Sequence, residues 1–129
     1  MYRSVIISLF LLLISFSSYS HEMTPTYPKF KSSYMDGLLV TEMEIFNKRK
    51  DVDYYEIGVF DKDFEPIPFV SSYSVYKVDY LKKVSVEIYV RKKDESSITY
   101  ICSRSKVLKQ RVSNTSVTST ICSKVRRGK

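Results

Sequence analysis

The sequence predicts an all-β domain, an antiparallel sandwich of seven or eight short strands. Three observations predict it. From residue 21 onward the chain holds nine tyrosines and five phenylalanines among many Val, Ile and Thr, while the whole chain has only 3 glycines. Such residues suit pleated, half-buried surfaces. Apolar and polar residues alternate in short runs, and clusters of Asp, Asn, Lys, Gly and Ser separate those runs.

The elements follow in order. Arg3 opens a charged start, Val5 to Phe16 is apolar apart from Ser8 and Ser15, and the small residues Ser18 and Ser20 precede His21. This is the pattern of a secretory signal peptide over 1–20, cleaved before His21. The run is too short for a membrane-spanning helix, which needs about 20 apolar residues. No later segment is apolar enough to span, so no stable membrane insertion is expected after cleavage. The domain itself is read as 21–125, followed by a basic tail over 126–129.

His21 to Tyr34 is an extended opening segment, because Pro25 and Pro28 exclude a helix. Asp36-Gly37 is a turn signal. Leu39 to Phe46 alternates, with Leu39, Met43 and Ile45 on one face and Glu42 and Glu44 on the other. Asn47 to Asp51 reads as a polar connection. Tyr54 to Phe60 is the next strand, with Tyr55, Ile57 and Val59 sharing a face. Asp61-Lys62-Asp63 turns the chain, and Phe64 to Val70 leaves as a strand that Pro66 and Pro68 confine to an edge. Ser71 to Tyr80 is irregular or a short strand. Val84 to Arg91 gives the clearest alternation, with Val84, Val86, Ile88 and Val90 facing in. Lys92 to Ser96 turns, Ile98 to Ser103 is a strand, and Ser113 to Val125 is the last.

Both cysteines, Cys102 and Cys122, lie in the exported part, where one disulfide is the simplest outcome and two buried thiols the alternative. If they face each other across a hairpin, its centre falls near Val112, within the polar stretch 109–114. The last two strands are therefore expected as a hairpin stapled by Cys102–Cys122. Tyr100, two residues before Cys102, has the spacing of a tyrosine corner.

Charge is uneven. Residues 21–102 carry 12 Lys/Arg against 14 Asp/Glu, whereas 103–129 carry 8 Lys/Arg and no acid. A basic end attracts anionic lipid, nucleic acid or an acidic protein surface, although a solvated face with a basic tail is the plainer reading.

Chemistry-bearing patterns are sparse. His21, the sole histidine, is expected as an ordinary exposed residue at the cleavage site rather than a copper ligand. Two cysteines and one histidine fall short of a four-ligand zinc site. Asp61 and Asp63 flank a turn and read as solvated, and no phosphate-binding Gly-rich loop occurs. No catalytic, cofactor-binding or metal-binding residue is assigned, and the protein is not expected to be an enzyme.

The run "LLVTEMEIFNKRKDVDYYEIGVFDKDFEPIPF" is similar to the N-terminal domain of PapD-like periplasmic pilus chaperones. A strand ends at Asn47, a polar stretch follows, and an aromatic strand starts at Tyr54. "KKVSVEIYV" and "ITYICSRSKV" resemble that family's fifth and sixth strands, so the resemblance spans about residues 25–107. It implies an immunoglobulin-like sandwich in a single-domain relative, located in the periplasm or secreted. One branch of the family joins its last two strands by a disulfide, as Cys102 and Cys122 would. The family holds an incomplete pilin by lending it a strand. Carried over, this implies a protein partner, such as a pilin-like subunit, engaged through a strand edge. The apolar row of the last strand would be Val117, Ile121 and Val125. Paired basic residues would meet a partner's terminal carboxylate: Lys31, with Lys29 next, on the first strand, and Lys124 or Arg126 on the last. No nucleic-acid partner and no cofactor are expected. The alternative readings are a structural component of a surface or viral assembly and a basic module that binds an anionic surface.

Overall fold

The computed structural model describes residues 20–107 and 118–127. The expected signal peptide, Val117 and residues 113–116 of the expected last strand lie outside these, except for Ser20.

Among the described residues, nine strands form two antiparallel sheets. Strands β1 (Glu22–Thr24), β2 (Lys31–Ser32), β3 (Leu38–Phe46), β5 (Phe69–Val70) and β7 (Lys83–Arg91) make the first, ordered β1-β3-β7-β5 with β2 also on β3. Strands β6 (Val75–Lys77), β4 (Tyr54–Phe60), β8 (Tyr100–Lys106) and β9 (Thr120–Lys124) make the second, in that order. A 3-10 turn, Lys92–Ser97, links β7 to β8. The pairings of β1, β3 and β7 and of β4, β8 and β9 are those of the A-B-E and C-F-G strands in immunoglobulin-like sandwiches. One difference is local. The chain visits the edge beside β7 (β5) before the edge beside β4 (β6), so it crosses between the layers three times from β4 to β7.

The alternation read from sequence fixes the core. Met43, Ile45, Tyr55, Val59, Val86, Ile88, Val90 and Ile101 are each at most 1% exposed and pack between the sheets. Every second residue of β3, β4 and β7 contributes, as the period-two geometry of a strand requires. The two outer faces differ. The first sheet's outer face carries Glu42, Glu44 and Glu87, with Ser85 donating to Glu42 and Lys83 paired to Glu44. The second sheet's outer face carries Gly58, Phe60, Tyr100 and the disulfide.

Three local expectations are corrected. Phe64 to Val70 is not one strand. Phe64 sits in the turn at φ 59°, Pro66 makes a single bridge to Phe60, and only Phe69 and Val70 pair as a strand, at the sheet edge. The prolines explain this, since they cannot donate to a ladder. Tyr100 is no tyrosine corner: its ring faces outward and stacks on Phe64 at 4.6 Å and 2°. His21 is 1% exposed rather than an ordinary surface residue.

Candidate functional site

A buried polar cluster joins the two ends of the domain. The Asn47 to Asp51 connection turns inward because Asn47 can satisfy four backbone and side-chain groups at once. Its Nδ2 donates to the carbonyls of Val52 and Val78, both at 2.8 Å. Its Oδ1 accepts from the Arg49 amide at 2.8 Å and the Tyr55 hydroxyl at 2.6 Å. Its backbone donates to Lys82 O and accepts from Leu81 N, which accounts for Leu81 being held at φ 59°. A buried amide with every position filled is stable where a half-filled one is not. Burial pushes the Tyr55 hydroxyl up to about 12, so it remains a proton donor.

Arg49, 8% exposed, grips Asp51 through Nε and Nη2 and reaches Ser105 and Ser119 through Nη1. Its guanidinium holds the Asp51 carboxyl below the usual carboxylate range. His21 lies beside Tyr55, ring centroids 4.5 Å apart. Its Nε2 faces Ser103 Oγ at 2.8 Å and Ser103 O at 3.3 Å, and its Nδ1 faces Ser119 Oγ at 3.2 Å. The neutral ring satisfies this set with Nε2–H donating to Ser103 and Nδ1 accepting the Ser119 hydroxyl, which itself accepts from Arg49. Desolvation is the main reason that His21 is lowered from its ordinary value near 6.5; the bond to Ser103 opposes this and Arg49 adds to it. The His21–Ser103 distance is that of a nucleophile–base pair. Both residues are buried, however, and the second ring nitrogen meets Ser119 rather than a carboxylate. The geometry is that of a seat: β1 is fastened to β8 and to the residue preceding β9.

That seat, with the disulfide, positions β9. Cys102 and Cys122 are bonded and directly opposed in the β8–β9 ladder, Cα atoms 4.1 Å apart. So close an approach marks a non-hydrogen-bonded pair. The ladder bonds therefore fall on the odd residues of β9, in agreement with Ser105 N donating to Ser119 O and Val125 N to Thr99 O. The even residues Thr120, Cys122 and Lys124 consequently point their N–H and C=O groups away from β8. Arg126 has the same parity, and its N–H reaches outward to Pro28 O at 2.8 Å. Among the described residues no strand pairs with the outer edge of β9.

The residues singled out from sequence fall as follows. Ile121 and Val125 are half-buried and pack against this domain's own core. Lys124 is exposed on β9 opposite Tyr100, and Lys31 is exposed on β2 opposite Val40. Lys29, not Lys31, lies with Arg126 and Arg127 around a hollow of about 450 Å³, floored by Phe30 and Val125 and including Glu95. Three cations around an apolar floor suit a carboxylate or another small anion. Among the described residues, no group of three or more His, Cys, Asp or Glu could hold a metal ion, and no helix is long and apolar enough to cross a membrane.

Sequence reasoning missed His21, Asn47, Arg49, Ser103, Ser105 and Ser119. The one signal for them was parity: Ser103, Ser105, Ser119 and Ser123 continue the inward-facing set of Ile101 and Ile121. No protein-family model matches the chain, and no curated protein matches it.

Proposed function

We propose that this domain is a non-enzymatic, extracytoplasmic binding module that engages a protein partner by adding a strand to the outer edge of β9. The observation that carries the reading is the row of outward backbone groups at Thr120, Cys122 and Lys124 on a strand fixed from behind by a disulfide and a buried polar cluster. An unpaired edge is a template for another chain's backbone, and a rigid template loses little freedom on binding. Because Ile121 and Val125 already serve this domain's core, affinity comes from the backbone edge and from groups around it rather than from that apolar row. The hollow at Lys29, Arg126 and Arg127 adds a seat for a terminal or side-chain carboxylate. The resemblance to pilus chaperones, which use strand addition and paired basic residues, agrees with this reading. The disulfide agrees with an oxidising compartment.

The test is a pull-down from the native host with wild type and Thr120→Pro. Proline removes one outward N–H while leaving the β8 ladder intact. Partner recovery is expected to fall sharply for a variant that keeps the wild-type melting curve. Equal recovery would rule this edge out. The convergence of Lys29, Arg126 and Arg127 also favours a second reading, attachment to an anionic surface. Sedimentation with anionic vesicles, lost on adding salt, would select it.

A further inference from the structure

We infer that the trough on the outer face of the second sheet takes the apolar side chain of an acidic, extended peptide segment. The trough has a volume of about 390 Å³. Its floor is the cross-strand row Gly58–Cys102–Cys122, which the register aligns directly. One wall is aromatic, formed by Phe60 and Phe64, with Tyr100 behind; the other holds Glu56, Arg104 and Thr120. It runs from the edge of β9 across β8 to β4, where the segment after the Asp61–Asp63 turn closes its far end.

Two features mark this surface as shaped for an occupant. Phe64 is a bulky residue at φ 59°, a backbone region that L side chains rarely adopt, and it remains 55% exposed. It is held there stacked on Tyr100, 4.6 Å between ring centroids, so the strained turn projects an aromatic ring over the sheet face rather than into the core. Gly58 is the second feature. A Cβ there would lie 2.6 Å from the Phe60 ring. Glycine weakens a strand interior and marks a close approach; here it lets the Phe60 ring fold down against the Gly58 backbone and form the wall at that end of the floor.

Charge selects the occupant. The outer face of this sheet carries Arg104, Lys106, Lys124 and Lys77 against Glu56 alone. Glu56 pairs with Lys106 at 2.8 Å and Lys77 with Asp79. Arg104 lies directly opposite Glu56, whose carboxylate is taken by Lys106, and Lys124 makes no ion pair among the described residues. An apolar floor with Arg104 on its wall and Lys124 farther along β9, on a sheet face where four cations stand against one acid, complements a segment in which carboxylates flank an apolar side chain. The edge reading proposed above fixes the register. A strand added to β9 would place one side chain beside Cys122, extending the floor row, with its next outward neighbours beside Lys124 and Thr120. That register rests on the edge reading; the trough itself does not.

The probe is an acetylated, amidated peptide, Thr-Glu-Thr-Phe-Thr-Glu-Thr, titrated into the oxidised full-length protein and followed by amide NMR. Shifts are expected at Gly58, Arg104 and Cys122. Replacing Phe by Ser in the peptide, or both Glu by Lys, is expected to weaken binding about tenfold or more, the loss that follows from leaving an aromatic side chain or a charge pair unmade. Phe64→Gly is expected to weaken binding about fivefold or more, with an unchanged or raised melting temperature because glycine relaxes the turn. Absence of peptide binding, equal binding of the Lys peptide, or full binding by Phe64→Gly would each overturn the inference. Thr120→Pro, read against Thr120→Ala because the Thr120 side chain also lines the trough, separates the two readings. If it abolishes binding while Phe64→Gly does not, the edge stands and the trough inference falls. If Phe64→Gly weakens binding while Thr120→Pro does not, the trough stands and the edge reading falls.

Discussion

Asn47 concentrates more of the fold in one side chain than any apolar residue does. Its amide closes the β3–β4 connection, fixes Tyr55 and carries the carbonyl of Val78. Asn47→Ala strands two carbonyls, one amide and one hydroxyl in the interior. The expected loss is about 3 kcal/mol or more in urea unfolding, against about 1 kcal/mol for Tyr55→Phe, which removes a single bond. Similar losses for the two would refute the central role of the amide. His21 yields a pH dependence. Its folded pKa is lowered, so below its ordinary value the unfolded chain binds a proton that the folded chain refuses. Its stabilising contribution is full above about pH 6.5 and is lost as pH falls from there toward the folded pKa. Melting temperatures between about pH 7.5 and 5.5 should fall more for wild type than for His21→Gln, and equal slopes would show that His21 does not titrate in this cluster. Neither residue was legible in the sequence as an interior group. Composition marks Asn47 to Asp51 as polar, and polar stretches are mostly solvated. Only the fold determines which polar groups find enough partners to be buried.

At the scale of elements, alternation was the readable signal. Val84 to Arg91 and Tyr54 to Phe60 could be assigned face by face because one side of each strand is buried and a one-residue slip would invert it. The hairpin of the last two strands was legible as well, since two cysteines symmetric about a polar stretch can meet only in one register. What could not be read was the orientation of the β9 backbone, which depends on whether Cys102 and Cys122 form a hydrogen-bonded or a non-hydrogen-bonded pair. That orientation gives a sharp expectation for hydrogen exchange. The amides of Ile121, Ser123, Val125 and Arg126 should be protected in the free protein, whereas those of Thr120, Cys122 and Lys124 should exchange quickly. Protection of the second group in the isolated protein would mean that the edge is already covered, and strand addition there would be excluded. The strained turn at Phe64 was also hidden. Asp61-Lys62-Asp63 signalled a turn, but nothing in the sequence required a phenylalanine in the left-handed region.

For the molecule as a whole, the question is what holds in place an edge that no described strand pairs with. Three ties act on β9: the ladder to β8, the disulfide, and the His21–Ser119–Arg49 contacts with the Arg126–Pro28 bond at its ends. The bridge has a sequence separation of 20, and closing such a loop in the unfolded chain is worth about 3 kcal/mol in the chain-entropy account. Domains of this size are stable by about 5–15 kcal/mol. Reduction should therefore weaken the fold without abolishing it. The expected result is a lower urea midpoint in dithiothreitol with the far-ultraviolet signature of a β protein retained, and two alkylatable thiols by intact mass only after reduction. Thiols that react without reductant would exclude the bridge, and complete unfolding on reduction would show that the core cannot hold the sandwich alone. The outer edge of β9, the binding edge proposed above, should respond more than the core does. Once the bridge is open, β9 keeps only its ladder and its end contacts, and the floor of the adjoining trough loses its covalent span. A reduced protein that stays folded but exchanges the odd amides of β9 faster than those of β7 would locate the bridge's effect at the edge, whereas uniform acceleration across both sheets would assign it to global stability alone.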